Sequence, residues 1–535
     1  MGVAIKSPKM SEAKKHIATL DQVRGVAIIA VLLTHSLADA FGFENLEWNG
    51  VFRDFSRSDS FLWFLPISIG ALGVPIFFIV SGFCIHLSFN QQGGRWGGFF
   101  IRRFFRIYPA YVAAIFFCLL LVLNYQRNGM PPDLYWKELM SHLLLVHNYS
   151  PVLVGGINAS FWSLAVEAQL YLIYPALLWL VGRNGWRRTL FILAGIEIFI
   201  RGADGLTQTM GITDTAWGRV SWLLAASPFG YWCSWSLGAY LADCYLKNRP
   251  LPWQGISLAW IVGAAVGCYF LKPLDPMRFL LFAVATAIVL SRILQRQKTG
   301  GQAGGTIFSI TLGRIGLWSY SIYLLHQPLI NVFSTLLKFL VPPDYFSQPA
   351  NFFFNCLLCI AIIPFSVAWY EVFEVTGIGL GRLFVQSRQD PAREPDKRTS
   401  LAEVFNRRRF FMTAAVLVMA VIGVLWGAAQ LSFKEAIWNN NHAWSLATGF
   451  DPQKRDGNLA VKLAEDACQR THFQMTICVG TLAAAYAEAG HFDKAVATAQ
   501  EACGLAKTNG ETDLLGKNLE LLKLYQSNQP FHQSE

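Results

Sequence analysis

Eleven stretches of this 535-residue chain are apolar for long enough to cross a hydrocarbon layer about 30 Å thick. They lie at roughly residues 19–40, 67–89, 107–124, 160–181, 188–202, 220–243, 255–271, 277–293, 315–339, 352–374 and 410–431. Inside hydrocarbon each backbone N–H and C=O must bond within its own segment, so such runs fold as helices and not as loops or open sheets. The expected fold class is therefore all-α, a polytopic integral membrane bundle of about 10–11 transmembrane helices. With 53% hydrophobic and 15% charged residues, the chain is far more apolar than a soluble protein of this length needs to be. Two divisions stay open: the run at 188–202 is short, and Pro228 and Gly230 interrupt the one after it.

A net charge of +10 would suggest nucleic acid in a soluble protein, but here the Lys and Arg residues concentrate in short connectors. With the N-terminus in the cytoplasm, the inward loops carry Arg95, Arg102, Arg103 and Arg106, then Arg183, Arg187 and Arg188, then Lys247 and Arg249, then Arg292, Arg296 and Lys298. The outward loops are mixed or acidic, as with Glu44, Glu47, Arg53, Asp54, Arg57 and Asp59. This alternation follows the positive-inside bias, and an odd number of helices leaves the C-terminal tail outside. The first run follows Lys6, Lys9, Lys14 and Lys15 and lacks a small-residue cleavage site, so it reads as an anchor and not as a cleaved signal.

Four regions are expected: a transmembrane domain at 1–385, a basic cytoplasmic linker at 386–409, an additional helix at 410–431 and an extracytoplasmic tail at 432–535. The tail turns rich in Ala, Glu, Lys and Gln. Leu482, Ala483, Tyr486, Gly490, Phe492, Ala495 and Ala502 have the spacing of a tetratricopeptide repeat, and Ala467 precedes Ala502 by one repeat length. A small helical repeat domain able to bind a protein partner is one reading, and a plain helical hairpin is the other. Cys356 and Cys359 form a CxxC within an apolar run and read as membrane packing. Cys468, Cys478 and Cys503 would face an oxidising compartment, where there is room for one disulfide, of any pair, with one thiol left over.

An ionisable group at a helix centre costs about 2.5–3.5 kcal/mol on insertion scales, so each one in these runs needs a reason. In LDQVRGVAIIAVLLTHS, Arg24 and His35 are eleven residues apart, which on a helix returns to nearly the same face about 16 Å further along. Taken singly, Arg24 is a snorkelling cation and His35 a packing histidine. Glu167 in FWSLAVEAQLYLIYP falls at a depth similar to that of His35, whose imidazole is an available partner for a carboxylate there, and LWSYSIYLLHQPLI adds Tyr320, Tyr323 and His326. Polar residues at comparable levels in several spans suggest a lined cavity. In FFIRRFFRIYPAY, one helical turn presents Arg102, Arg103 and Arg106 together, suited to bidentate grip on phosphates or to plain anchoring at the inner interface. GVPIFFIVSGFCI contributes Ser81 and Gly82, small residues that allow close helix approach.

These five segments, in their order along the chain, resemble the membrane-bound acyltransferase-3 family, whose bacterial members O-acylate cell-surface glycans; the resemblance spans about residues 16–385. It implies a bacterial inner-membrane protein that takes an acyl group, most readily acetyl, from cytoplasmic acyl-CoA and delivers it to a hydroxyl of an extracytoplasmic or lipid-linked glycan. Arg24 and His35 match the family's R-x10-H pair, Arg103 and Arg106 its R-x-x-R pair, Ser81 and Gly82 its second-helix motif, and Glu167 the acid of its WSL-x-x-E segment. The expected roles are His35 and Glu167 in catalysis, Arg24, Arg102, Arg103 and Arg106 on the co-substrate's phosphates, and Ser81, Tyr320 and His326 in the cavity. Glu374 aligns with an acidic position of the family, but Thr376 stands where many members have proline, so Glu374 is left out of the expected site. The tail carries no GDS-type nucleophile of the esterase-like domain fused to some members. Neither a metal nor nucleic acid is expected as a partner. A lipid-linked glycan transporter or flippase would need many of the same cavity residues. A scaffold that uses the bundle as an anchor needs only one helix.

Overall fold

The computed structural model describes residues 18–41, 48–53, 73–122, 132–299, 306–340, 348–389, 433, 435–509 and 511–533. The chain divides into two compact units, Met1–Leu119 with Met130–Met419, and Leu120–Gly129 with Ala420–Glu535.

The first unit is a bundle of helices. Its members are α1 (Ala18–Phe41), α2 (Gly73–Gln91), α3 (Trp96–Val122), α4 (Pro132–Leu143), α5 (Trp162–Thr209), α6 (Ala216–Ala226), α7 (Trp232–Leu246), α8 (Leu258–Phe270), α9 (Arg278–Lys298), α10 (Ile307–Leu317), α11 (Ser319–Leu340), α12 (Gln348–Trp369) and α13 (Val375–Gln389). A two-residue hairpin, β1 (Trp48–Asn49) with β2 (Phe52–Arg53), is the only sheet among the described residues. Its Arg53 lies 4.4 Å over the Tyr269 ring and bonds the Tyr269 carbonyl at 2.8 Å and Asp275 at 3.3 Å.

Close helix crossings hold the bundle together, as expected where lipid supplies no hydrophobic drive between helices. A methyl at Gly82 would lie 2.1 Å from the Trp235 carbonyl oxygen, and one at Gly238 would lie 1.9 Å from that of Ile79. The backbones of α2 and α7 therefore touch at two facing glycines. A second crossing joins α1 to α10, where a Gly25 methyl would meet the Leu312 oxygen at 2.2 Å and a Gly316 methyl the Asp21 oxygen at 1.7 Å. Around the first crossing Phe78, Phe99, Tyr174 and Trp235 are fully buried, while Leu172, Trp179, Phe191, Phe199 and Trp260 are exposed as a lipid-facing surface would be.

Among the described residues, six helical segments are long and apolar enough to cross a membrane: Thr19–Phe41, Gly73–Gln91, Trp96–Leu120, Ala159–Thr209, Lys272–Lys298 and Ala350–Gln386. The runs read as 160–181 and 188–202 form one element broken at Gly185, whose φ of 74° and ψ of 163° no helix adopts. The run read as 220–243 divides at Pro228–Tyr231, and the one read as 315–339 divides at Trp318. Helix α8 has only 13 residues. The N-terminal part of the 67–89 run and the whole of 410–431 lie outside the described residues, as does most of the linker expected at 386–409. Helix α13 continues past the expected boundary at 385 to Gln389.

In the second unit residues 435–448 are helical, followed by α15 (Gly457–Arg470), α16 (Thr476–Glu488), α17 (Phe492–Thr508) and α18 (Thr512–Gln526), with 435–448 counted as α14. Successive members from α15 to α18 pack on one another, and α16 also meets α18. The core between them is built from alanines, including Ala464, Ala467, Ala483, Ala495 and Ala502, all buried, which lets the helices approach closely. Asp456 caps α15 by accepting from the Leu459 N–H at 2.9 Å. The three tail cysteines do not form the disulfide that their compartment would allow: Cys468, Cys478 and Cys503 are all free thiols, the first two sealed in the alanine core.

Candidate active site

Among the described residues, seven of the helices and the turn at Tyr370–Glu374 contribute to the wall of a cavity of about 500 Å³ inside the first unit. From α1 come Asp21 and Arg24, from α2 Ser81, Cys84 and Ser88, and from α3 Arg103 and Arg106; α5 adds Glu167 and Tyr171, and α11 adds Tyr320 and Tyr323. The sequence segments singled out by their misplaced polarity therefore do converge, although they are spread over 300 residues of chain.

Three arginines, Arg24, Arg103 and Arg106, give the cavity wall its cations. Arg24 bonds Asp21, one turn earlier on α1, at 3.0 Å and the Cys84 sulfur at 3.1 Å. Arg103 donates to Ser88 Oγ at 2.6 Å, and its Nε is buried with no partner among the described residues. Arg106 lines the cavity three residues on and makes no hydrogen bond or ion pair among the described residues. Guanidinium donors held in position and left unspent are suited to an anion such as phosphate. Arg102 is not among the lining residues; it folds back along its own helix, where a methyl on Gly98 would lie 2.9 Å from its Nη1.

Further along, Tyr171 donates to Glu167 Oε1 at 2.6 Å. Since that hydroxyl proton is committed, the 3.4 Å contact between Ser81 Oγ and the Tyr171 oxygen has Ser81 as donor, and the Trp235 indole in turn donates to Ser81 at 3.3 Å. Tyr320 bonds the Ile107 carbonyl at 2.9 Å, across to α3. Tyr323 donates to the Ser160 carbonyl at 2.6 Å and so receives the Ser163 hydroxyl at 2.7 Å.

His35 does not line the cavity, and Glu167 is not its partner. Its ring sits 5.0 Å from that of His326, which in turn is 5.5 Å from the Tyr323 ring. Gln327 fixes the arrangement. Its Oε1 accepts from the Ser160 N–H at 3.1 Å, so its Nε2 faces His35 Nδ1, also at 3.1 Å, as donor. An amide nitrogen cannot accept, which leaves the lone pair of neutral His35 on Nδ1 and its proton on Nε2. His326 is fully buried; its Nδ1 reaches the Tyr323 carbonyl at 2.8 Å and its Nε2 the Ser160 hydroxyl at 3.3 Å. Ser160 thus touches both histidine systems from the turn that opens α5, a turn tied by the Asn158 side chain accepting from the Ser160 N–H at 2.9 Å.

Three functional candidates escaped the sequence reading. Gln327 and Ser160 carry no signal as residue types and gain meaning only through His35 and His326. Glu374, set aside for lack of a following proline, lies in the cavity wall, buried, and accepts from the Ser321 hydroxyl at 2.5 Å. It is delivered there by a π-helical turn, Tyr370–Glu374, which inserts an extra residue between α12 and α13.

The family model described as Acyltransferase domain, of the acyltransferase-3 type, matches residues 17–371. Acyltransferase MdmB of Streptomyces mycarofaciens is 28% identical over 271 residues, which is 48% of this chain and 68% of that protein. Peptidoglycan O-acetyltransferase OatA of Listeria monocytogenes is 24% identical over 366 residues, 62% of this chain and 52% of that protein. Nodulation protein 10 of Rhizobium leguminosarum bv. viciae is 23% identical over 311 residues, 53% of this chain and 78% of that protein. No solved structure matches the chain.

Proposed function

The chain belongs to the acyltransferase-3 family and is a multi-pass membrane acyltransferase, and from that premise we propose that it carries an acyl group from cytoplasmic acyl-CoA to a hydroxyl of a glycan beyond the membrane. Acetyl is the group proposed, in line with the activity named for the Listeria relative, and a surface glycan is the proposed acceptor for the same reason.

The observation that carries this reading is the order of groups along one polar path. Arg24, Arg103 and Arg106 share the cavity wall with Glu167, Ser81 and Tyr323, and from the Tyr323 ring the contacts run on to His326 and then to His35, which Gln327 holds. Arginines at the cytoplasmic end bind the phosphates of the nucleotide, and the pantetheine arm extends up the cavity to bring the thioester toward the histidines. The separation of about 16 Å between Arg24 and His35 along α1 suits such an arm.

In the reaction, the acceptor hydroxyl takes the place at His35 Nδ1 that the Gln327 amide holds in the resting protein. His35 removes the hydroxyl proton as the oxygen attacks the thioester carbonyl, forming the new C–O bond. Collapse of the tetrahedral intermediate breaks the C–S bond, and the thiolate leaves as the coenzyme thiol with the proton from His35. Glu167 acts at a distance, through Tyr171 and Ser81, on the cavity and not directly on the imidazole. The tail from 432 is proposed to be a tetratricopeptide-like module outside the membrane that recruits a protein partner. The cytoplasmic N-terminus and the inner membrane of a bacterium complete the proposal.

Mass spectrometry of surface glycans from cells with and without the protein tests it. The expected result is a set of ester-linked acyl groups present only when the protein is, and their absence alongside altered glycan export would replace the reading with a transporter.

A further inference from the structure

A second cavity of about 420 Å³ lies against the opening turn of α5. Its wall takes Ala159 and Trp162 from that turn, Asp204 and Gln208 from the far half of α5, Trp222 from α6 and Tyr231 from the start of α7. Trp162 lines this cavity while Ser163 and Leu164, which follow it on α5, line the arginine-bearing one, so a single turn of the helix contributes to both walls.

The chemistry of this second wall points away from anions. Arg201, the one cation among its described lining residues, has every nitrogen engaged: Nε with Glu197 at 3.1 Å, Nη1 with the Pro276 carbonyl at 3.0 Å and Nη2 with the Gly230 carbonyl at 2.7 Å. It is also sandwiched 4.8 Å from the Tyr231 ring and 4.7 Å from that of Phe279. Asp275 is likewise taken up by Arg53 and Arg278, at 3.3 Å each. What remains is three large rings, with Trp162 and Tyr231 centred 5.7 Å apart, and the Asp204 carboxylate. Gln208 holds one oxygen of Asp204 at 2.8 Å, and the other has no partner among the described residues.

Aromatic faces bearing negative quadrupole attract the slightly positive C–H face of a pyranose ring, while a free carboxylate oxygen and the Gln208 carbonyl accept from its hydroxyls. The wall offers acceptors, apolar planes and one donor without a partner among the described residues, the Trp222 indole N–H, and holds its cation in reserve for structure alone. We propose that this cavity is the acceptor subsite and binds an uncharged sugar unit of the glycan. The inference rests on the acyl-transfer reading above and names the recipient's place in it. The opening turn of α5 is then the partition between donor and acceptor: Ala159 and Trp162 face the sugar, Ser163 and Leu164 face the donor cavity, and Ser160 between them bonds His326 and Gln327.

The test uses the full chain expressed in its own host lacking the native copy. Two quantities are measured: alkali-released short-chain acids from purified envelope glycans, and retention of radiolabelled coenzyme A by isolated membranes. Trp222→Ala and Asp204→Asn are expected to lower the glycan esters about tenfold or more while coenzyme A retention stays within about twofold of wild type. Trp222→Phe, which keeps a ring, is expected to recover most of the esters. Unchanged esters in both first variants would overturn the subsite, as would a parallel fall of esters and coenzyme A retention. Esters equal in the wild type and the deleted strain would overturn the acyl-transfer reading itself, and the subsite with it.

Discussion

Gln327 bridges Ser160 and His35: its oxygen accepts from one backbone N–H at 3.1 Å and its nitrogen donates to one imidazole at 3.1 Å. Because the Ser160 N–H must face an acceptor, the amide cannot turn over without setting two donors against each other. The side chain therefore reads out the position of the α5 turn and imposes a tautomer and an orientation on His35. A neutral histidine held this way presents Nδ1 as its only basic atom.

Replacing Gln327 by Ala is expected to reduce kcat about 10- to 100-fold, the cost of a misplaced catalytic group, with KM for the acyl donor unchanged. Steady-state kinetics on purified protein in detergent or nanodiscs separate the two parameters. A rise in donor KM with kcat intact would place Gln327 in donor binding instead.

His35→Ala should lower acyl transfer by about 10²–10⁴-fold, the range of a lost general base, at unchanged membrane abundance. His326→Gln should act more mildly, since an amide can still bond Ser160. Activity of His35→Ala near wild type, with equal amounts of protein on an immunoblot, would remove the imidazole from the reaction.

Arg103→Ala and Arg106→Ala are expected to raise the donor KM about 10- to 100-fold, the loss of a hydrogen bond to a charged group. The same variants should leave the use of acetyl-pantetheine, which lacks the nucleotide phosphates, unchanged. A uniform loss with both donors would mean that the arginines only position the helix. Arg102→Ala, whose side chain folds along its own helix, should change either KM by less than about twofold.

Gly238→Ala should destabilise the bundle by about 1–3 kcal/mol or more, since the new methyl would lie 1.9 Å from the Ile79 oxygen and backbone, unlike a side-chain tip, cannot step aside. Gly263→Ala, which meets nothing within 4 Å, is the control. Thermal unfolding in detergent, followed by size-exclusion recovery, should fall for the first and not for the second.

Deleting residues 432–535 is expected to leave donor turnover within about twofold, because every residue assigned to the donor path belongs to the first unit. Complete loss of turnover in a deletion that still inserts and accumulates would give the tail a part in catalysis.

Much of this organisation is written in the sequence where polarity contradicts its surroundings. Arg24, Ser81, Glu167 and Tyr320 are conspicuous because each interrupts an apolar run, Arg103 and Arg106 because they cluster at the edge of one, and all six line one cavity. The same logic overreached at His35 and Glu167: equal depth says that two groups share a level of the bundle, not that they share a face, and Glu167 is bonded to Tyr171 instead. Helix count was less legible. Hydropathy measures only how apolar a run is, so it passes over the φ of 74° at Gly185 and the reversal at Pro228. Glu374 was hidden because a π-helical turn changes the register in a way that residue spacing alone does not record.

The contact between α1 and α10 also has a consequence for biosynthesis. Gln22 bonds the Ser309 carbonyl across 287 residues of sequence, beside the facing glycines at 25 and 316. At a ribosomal pace of about 5–20 residues per second, the first helix waits roughly 15–60 seconds for the neighbour that completes its groove. Until α2 brings Cys84, 60 residues further on, Arg24 has Asp21, one turn away, to shield it from the acyl chains. The aspartate thus doubles as an insertion escort, and a chain that lost it would be most vulnerable to quality-control proteases before its second helix had been made.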